Sequence, residues 1–582
     1  MRSFFKIFFA SFLAMVVFLL IGIFIIAAIV GGIVNKDRPR VAKKSVLVIN
    51  LAQMYSEQEK DDVVGAIAGK DATPGLYDVV RLIENAKNDD KIAGIYLEAD
   101  ANANGFANSN ELRNAIRDFR TSKKFVMAYG DVMTQGSYFI ASAADKIYVN
   151  PSGAFEWKGY AVTYFFVKNL LDKLQIEPQI FYAGKFKSAT EIFRTTEMTP
   201  ENELQTREWL GDLYNYFLTR TAEARGVDTA QLRNLANTGA IQTPQDALTN
   251  KLIDGIKYDD EVKAEIKQRL GIGKDEKIEL IDINKYNAAV TLKRSGKDRV
   301  AIIYAQGNIV DGMGSNDQIG GENYRRIIRK ARLDNSVKAI VLRVNSGGGS
   351  ALASEIIWRE LQQAKKDGKP VVVSFGDVAA SGGYYIACGA DSIFASANTI
   401  TGSIGVFGVI PNMQGFFSNK LGVTFDGVGT GPYADGPAVY RPLTENEKQI
   451  VQKGIDRIYL QFKQRVAEGR KKDINYVDSF AQGRVWSGED ALRIGLIDRI
   501  GSLQDAIRCA AKMARLSDHG VKEYPESKNW LDELLGREQK GPEAAIRQQI
   551  GEDNYRIYQE LNRIKEITGA VQARLPFEFV IK

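Results

Sequence analysis

Between Ile7 and Val34 the chain carries no charged residue, and Phe, Leu, Ile, Val and Ala fill most positions. A bilayer core takes about 20 such residues, whereas a cleaved signal segment has an apolar core of only ~7–15. The run is therefore expected to be a retained membrane-spanning helix. Beyond it the apolar runs are short and β-rich: SVLVINL from Ser45, IAGIYLEA from Ile92, KFVMAYG from Lys124, then VAIIYAQ from Val300, AIVLRV from Ala339 and VVVSF from Val371. Amphipathic stretches such as Tyr324 to Arg332 and Ser354 to Lys365 lie between them. Short buried strands alternating with helices predict α/β domains, each with a largely parallel sheet flanked by helices.

The order of elements occurs twice. DVMTQGSYFIASAADKIYV from Asp131 matches DVAASGGYYIACGADSIFA from Asp377, an offset of 246 (377 − 131). Nearly the same spacing aligns Ile83, Ala86 and Asp89 with Ile328, Ala331 and Asp334, and Asp246 with Asp490. A fixed internal offset of this size marks a duplicated domain. The expected organisation is an anchor and basic flank over 1–44, a first copy over 45–265, a charged joining segment over 266–297, a second copy over 298–510 and a tail over 511–582. In the tail, Ile550, Tyr555, Ile557, Tyr558 and Leu561 recur at helical spacing, predicting a helix packed on a neighbour.

Composition adds mainly exclusions. With 77 basic against 71 acidic residues over 582 positions, the charge is too balanced to point to nucleic acid. Two cysteines, Cys388 and Cys509, exclude a disulfide framework, and Cys388 in its apolar setting reads as a small buried hydrophobe. Arg2 and Lys6 precede the anchor, while Lys36, Arg38, Arg40, Lys43 and Lys44 follow it. Taken alone, that asymmetry places the C-terminal bulk in the cytoplasm.

Candidate chemistry gathers after two strands of the second copy. AIVLRV runs into Asn345-Ser-Gly-Gly-Gly-Ser350, whose flexible backbone can present N–H groups to an anion or oxyanion. A purely structural glycine turn is the competing reading, whereas a nucleotide site lacks a P-loop or GxGxxG signature. VVVSF leads to Ala379-Ala-Ser381-Gly-Gly383, where small neighbours let a carbonyl approach the serine hydroxyl and the Gly382 N–H can join those of Gly348 or Gly349. The competing role for Ser381 is a helix N-cap. A Ser-His-Asp triad would have to recruit His519, the one histidine of the chain, and the same scarcity argues against a metal centre. Lysine is then the natural base, provided that burial or a neighbouring cation makes it neutral. Lys187 lies in the aromatic-rich IFYAGKFKSATEIF, with Ser188 adjacent to orient it and Lys185 placed to share a strand face and depress its pKa. Composition leaves both lysines open to a solvent-facing role.

RVNSGGGSALASE, DVAASGGYYIA, NTITGSIGVFGV and GKFKSATEIF together resemble the motifs of the signal peptide peptidase A family in its long, duplicated (67K) form. The similarity covers both copies. It implies two tandem Clp/crotonase-like domains and a Ser/Lys dyad with Ser381 as nucleophile and Lys187 as base. It further implies an oxyanion hole drawn from Gly348, Gly349 and Gly382, no cofactor or metal, and a homo-oligomer, a tetramer in the family. The implied substrates are residual signal peptides and other apolar peptides, met on the extracytoplasmic (periplasmic) side of a bacterial inner membrane. That side opposes the charge asymmetry at the anchor. The family commonly has Pro where this chain has Gly347, which makes the loop less rigid.

The duplication tests this reading internally. Opposite Ser381 the first copy has Gln135, and its counterpart of the glycine loop is ADANANG; opposite Lys187 the second copy has Pro432. Each half keeps what the other lacks, so serine and lysine must meet at a domain interface, within a chain or between chains. Two alternatives stand beside the peptidase. An acyl-CoA enzyme of the crotonase kind would need neither dyad nor anchor, and a non-catalytic membrane scaffold would have lost one dyad member. Removing the residues ahead of Lys44 is expected to give a soluble chain that still hydrolyses apolar peptide esters and is indifferent to chelators; a folded but inactive truncation would show that the anchor takes part in catalysis.

Overall fold

The computed structural model describes residues 2–34, 39–59, 72–292, 296–526 and 571–575. Arg2–Val34 forms one helix, and its stretch Phe4–Gly22 has a mean hydropathy of 2.6 with its side chains exposed. A helix of that length and composition fits membrane anchoring.

Each copy folds around its own parallel sheet. In the first copy the strands run in the order Gly255–Ile256, Lys146–Phe155, Phe125–Met133, Ile92–Glu98, Ser45–Asn50 and Leu280–Asp282, all parallel. In the second copy Val371–Ala380, Val337–Ser346 and Arg299–Gln306 run parallel in the corresponding sheet, with Gly520–Tyr524 parallel at its edge. These strands are apolar on both faces because helices cover both. Along Arg299–Gln306, Ala301, Ile303 and Ala305 point into the main core, while Val300, Ile302 and Tyr304 point to the opposite face under the helix Leu503–Met513.

The duplication is visible element by element. Leu76–Asn88 answers Gly321–Leu333, Phe106–Arg120 answers Ala351–Lys366, and Pro200–Arg225 answers Glu445–Arg470. The copies differ from the expected outline at their edges. The helix Asp259–Leu270 and the strand Leu280–Asp282 belong to the first unit, so most of the joining segment 266–297 is built into that domain. Likewise the second sheet extends past 510 to Gly520–Tyr524. Charged side chains on the outer face of an edge element concealed its buried side, Val262, Ile266 and Leu270. The described tail residues hold the end of the helix Leu503–Met513 and the strands Gly520–Tyr524 and Gln572–Arg574; the expected helix through Ile550 and Leu561 lies outside the described residues.

A third sheet mixes the two copies, in the order Gln318–Gly320, Asn308–Val310, Gly348–Ser350, Gln572–Arg574, Val406–Asn412 and Glu177–Ala183. The last strand comes from the first copy and runs antiparallel to Val406–Asn412. A buried charge cluster closes the same interface elsewhere. Arg343, on a central strand of the second copy, donates from Nε to Glu57 (2.8 Å) and meets Glu111 at 2.8 Å, both in the first copy. Asp377 accepts from the backbone N–H groups of Ala107 and Asn108 at the start of the helix Phe106–Arg120, favourable for a carboxylate. Removing one partner of a buried ion pair leaves an uncompensated charge, at a cost of about 3–5 kcal/mol. Arg343→Met, which keeps the volume, should lower the unfolding free energy by that order, read as a clear drop in the urea midpoint; an unchanged midpoint would show that this cluster does not tie the copies together.

Candidate active site

The strand Val371–Ala380 ends directly at Ser381, and the short helix Gly382–Ala387 starts on the next residue. Between them Ser381 turns the chain sharply, with φ +55° and ψ −116°. A non-glycine residue held there costs about 1–3 kcal/mol and needs its surroundings to fix it. Ser381 N donates to Gly402 O (2.8 Å), and Tyr385 N donates to Ser381 O (2.8 Å). The hydroxyl makes no capping bond to the helix, so it is left for another partner and the N-cap role falls away.

The neighbouring strand Val337–Ser346 delivers the glycine loop beside this turn. Gly348 and Gly349 have φ +99° and +155°, conformations that glycine alone adopts readily. A side chain at Gly348 would also come 2.6 Å from Gly382 N, and one at Gly382 would come 3.1 Å from Gly349 N. The three predicted glycines are therefore in contact. Their amides are not equivalent, because Gly348 N–H donates to Ser346 Oγ at 3.1 Å. Gly382 and Gly349, the latter opposite Ala573 in the strand ladder, remain as candidates to face an oxyanion.

Lys187 arrives from the first copy. The strand Glu177–Ala183 brings the chain against Val406–Asn412, and a turn follows in which Phe186 N donates to Gln482 O (2.8 Å) and Lys187 N to Gly184 O (3.0 Å). The helix Pro200–Arg225 holds the turn from behind. Thr199 caps it with Pro at its first position, and Glu191 accepts from Thr199 Oγ1 (2.6 Å) and Asn202 Nδ2 (3.0 Å). Within one chain, Lys187 Nζ thus comes 2.8 Å from Ser381 Oγ, and both side chains are buried. Burial holds the Lys187 pKa well below the ordinary lysine range, desolvation penalising the ammonium form.

Two expectations around the base are corrected. Lys185 and Lys187 share a turn rather than a strand face; Lys185 is exposed, its ammonium 5.1 Å from the Phe186 ring centre, and the shift at Lys187 has burial as its cause. Ser188 does not orient the amine, since its hydroxyl accepts from Gln205 Nε2 (3.0 Å). The orienting group is Ser403, whose carbonyl and hydroxyl oxygens accept from Lys187 Nζ at 3.1 and 3.0 Å. Ser403 is within the NTITGSIGVFGV motif, and its φ of +50° is the strained feature that aims both oxygens at one point. His519 is half-buried just ahead of Gly520–Tyr524, at the far edge of the second sheet. Gln135, opposite Ser381 in the duplication, is buried in the first copy and accepts from Lys158 N (2.6 Å).

Beside Ser381 runs a groove between the strands Gly348–Ser350 and Val406–Asn412, and Gln572–Arg574 of the same chain lies in it, antiparallel to both.

The sequence profile of "Peptidase family S49" matches this chain twice, over residues 118–273 and 363–517. Protease 4 of Salmonella typhi is 38% identical over 482 residues, spanning 81% of this chain and 77% of that protein. Protease 4 of Haemophilus influenzae is 33% identical over 570 residues, spanning 92% and 91%. The chloroplastic serine protease SPPA of Arabidopsis thaliana is 33% identical, spanning 82% of this chain and 70% of that protein. A tandem pair of matching domains and similarity over most of the length make this chain a member of peptidase family S49, a serine peptidase with two α/β domains behind an N-terminal apolar helix.

Proposed function

We propose that Ser381 and Lys187 are the catalytic dyad, that Gly349 and Gly382 supply the oxyanion hole, and that the substrates are apolar peptides, residual signal peptides among them. The observation that carries this reading is the 2.8 Å approach of Lys187 Nζ to Ser381 Oγ inside a buried interface between the copies. A neutral amine at that position accepts the hydroxyl proton as Oγ adds to the scissile carbonyl, and the oxygen of the tetrahedral adduct gathers charge against the two amides. The same amine then passes the proton to the departing nitrogen. Water completes the cycle by the reverse sequence, releasing the acyl group as a carboxylate. Ser403 keeps Nζ aimed at Oγ throughout.

A groove that binds its occupant as an antiparallel strand recognises backbone first and side chains at alternate positions second. That suits short extended peptides, such as signal peptides unwound from a membrane, and the apolar helix Arg2–Val34 would keep the enzyme beside them. We place the catalytic domains on the extracytoplasmic face of a bacterial inner membrane and the chain in a homo-oligomer, a tetramer by resemblance. Exposed Val423, Phe425 and Val428, in the stretch of the second copy that answers the strand Glu177–Ala183 of the first, offer apolar surface for such association.

Ser381→Ala should abolish peptide hydrolysis with the fold retained, while Gln135→Ala leaves it near wild type; more than a few per cent residual activity in purified Ser381→Ala would remove the serine from its role. The competent form of Lys187 is neutral, so kcat/KM should climb as pH rises through its lowered pKa and level off above it, a limb that Lys187→Ala abolishes. Because one chain holds both groups, mixing Ser381→Ala with Lys187→Ala protein should restore nothing. Ser403→Ala should cost roughly tenfold in kcat, about 1.4 kcal/mol. Its lost hydroxyl had favoured the ammonium form, so the pH limb should also move down; a limb that stays in place would show that Ser403 is only structural.

A further inference from the structure

Four residues of the second copy, 482–485, form a strap across the turn that carries the base. Gln482 O accepts from Phe186 N (2.8 Å) on that turn, and Arg484 O accepts from Ser403 N (2.6 Å). One short segment is thus bonded both to the turn that bears Lys187 and to the residue whose two oxygens aim its amine. The strap also lies against the backbone of Lys187 itself. Gly483 has φ +78°, and a methyl group added there would meet Lys187 N and Cβ at 2.7 Å and Cα at 2.8 Å. Only glycine permits that approach. Gln482, at φ +50°, is pinned in turn by Tyr459, whose hydroxyl accepts from Gln482 N (3.1 Å).

What ties the strap to the turn is a side chain that touches neither reacting atom. Gln205, on the helix Pro200–Arg225, is only 1% exposed. Its Oε1 accepts from Val485 N (3.2 Å), the last residue of the strap, while Nε2 donates to Phe186 O (3.1 Å) and Ser188 Oγ (3.0 Å), on either side of Lys187. A buried amide bonded at both ends is costly to leave unpaired, so it holds together the two parts that it joins. Phe186 is gripped from both sides, its N–H by the strap and its carbonyl by Gln205.

The duplication supplies a control. Thr199 and Thr444 cap corresponding helices (444 − 199 = 245), and the same offset sets Ile450 opposite Gln205. Ile450 is exposed. Gly239 answers Gly483 at the spacing that aligns Asp246 with Asp490, and it keeps a positive φ of +59°. A methyl group added at Gly239 would meet only Gln242 Nε2, at 3.5 Å, among the described residues. The buried amide and the packed strap occur together only around the arm that carries the lysine.

We propose that Gln205 is a positioning residue for hydrolysis: by joining the base turn to the strap that also holds Ser403, it keeps Lys187 Nζ directed at Ser381 Oγ and shut from water. The proposal rests on the dyad reading above. Around the turn stand Lys185, on the turn itself, Glu191 and Glu208 of the first copy, and Tyr459 and Arg484 of the second. Arg484 lies over the Phe186 ring (5.1 Å) and pairs with Glu208. None of these groups depresses the amine; burial does. Loosening the turn therefore has a defined sign. Water reaching Nζ stabilises the ammonium, raises the pKa and moves the rising limb of kcat/KM to higher pH, opposite to the shift expected of Ser403→Ala.

Gln205→Met keeps the volume and removes the bonds, and the full chain in detergent can be assayed across pH on an apolar peptide ester. On the plateau kcat should fall by about tenfold with KM little changed, and the limb should move up. Ile450→Ala, at the answering position, should alter neither. Gln205→Ala, which opens space for water beside Phe186 O, should move the limb in the same direction and serves if the methionine variant does not fold. A limb that stays in place in a folded variant, whatever the loss of rate or of thermal stability, makes Gln205 a merely structural residue and overturns the proposal. Failure of both variants to fold does the same. A wild-type chain without a limb that depends on Lys187 overturns the dyad and this proposal together.

Discussion

Seven consecutive residue pairs, from Glu177 opposite Asn412 to Ala183 opposite Val406, join the two copies in one antiparallel ladder, and the active site hangs from its end. Lys187 is only four residues beyond Ala183, on a turn too short to reach far. The ladder thus sets where the amine can be. In the second copy the answering stretch pairs with nothing of the kind: Gly422 to Gly427 are exposed and irregular, and Pro432 stands in place of the lysine. Duplication supplied two stretches of this type, and only the first copy's is a strand that bridges to the other domain.

Bridging also solves an electrostatic problem. A lysine is a base near neutral pH only if its ammonium form is made unfavourable, and removal from water does this most directly. Neither domain alone buries Lys187. The turn is covered on one side by the first copy's helix Pro200–Arg225, where Gln205 Nε2 donates to Phe186 O (3.1 Å), and on the other by Gln482 and Gly483 of the second copy. The packing of the two copies is therefore what keeps the amine out of water. The buried cluster of Arg343 with Glu57 and Glu111 holds the same interface from the opposite copy's side, with charges that are matched only when the copies are docked.

The groove beside the dyad is made the same way. Its floor and one wall come from the second copy, its far pocket from Trp209 and Leu213 of the first. Strand addition between Gly348–Ser350 and Val406–Asn412 gives an occupant backbone bonds on two sides, so affinity is largely indifferent to sequence and selectivity falls to the few positions that meet pockets. That division of labour suits a peptidase that acts on varied peptides.

The sequence alone determined the duplication, the parallel α/β sheets and the apolar N-terminal helix, because periodicity and internal repetition are properties of residue order; it pointed to Ser381 and Lys187 through the resemblance of their motifs to a known family, composition leaving both lysines open to a solvent-facing role. The complementary losses at Gln135 and Pro432 even required that the two halves meet. Tertiary structure alone decided which oxygens steer the amine, Ser403 rather than the adjacent Ser188, since neighbours in sequence diverge as soon as the chain turns. It decided that Gly348 gives its amide to Ser346 and that Lys185 faces solvent. It also assigned the end of the helix Asp259–Leu270 and the strand Leu280–Asp282 to a domain instead of a joining segment, and set Gln572–Arg574 in the groove. Each of these depends on distances between residues far apart in the chain, or on directions taken by side chains within a single turn, and such quantities come into being only when the two copies pack.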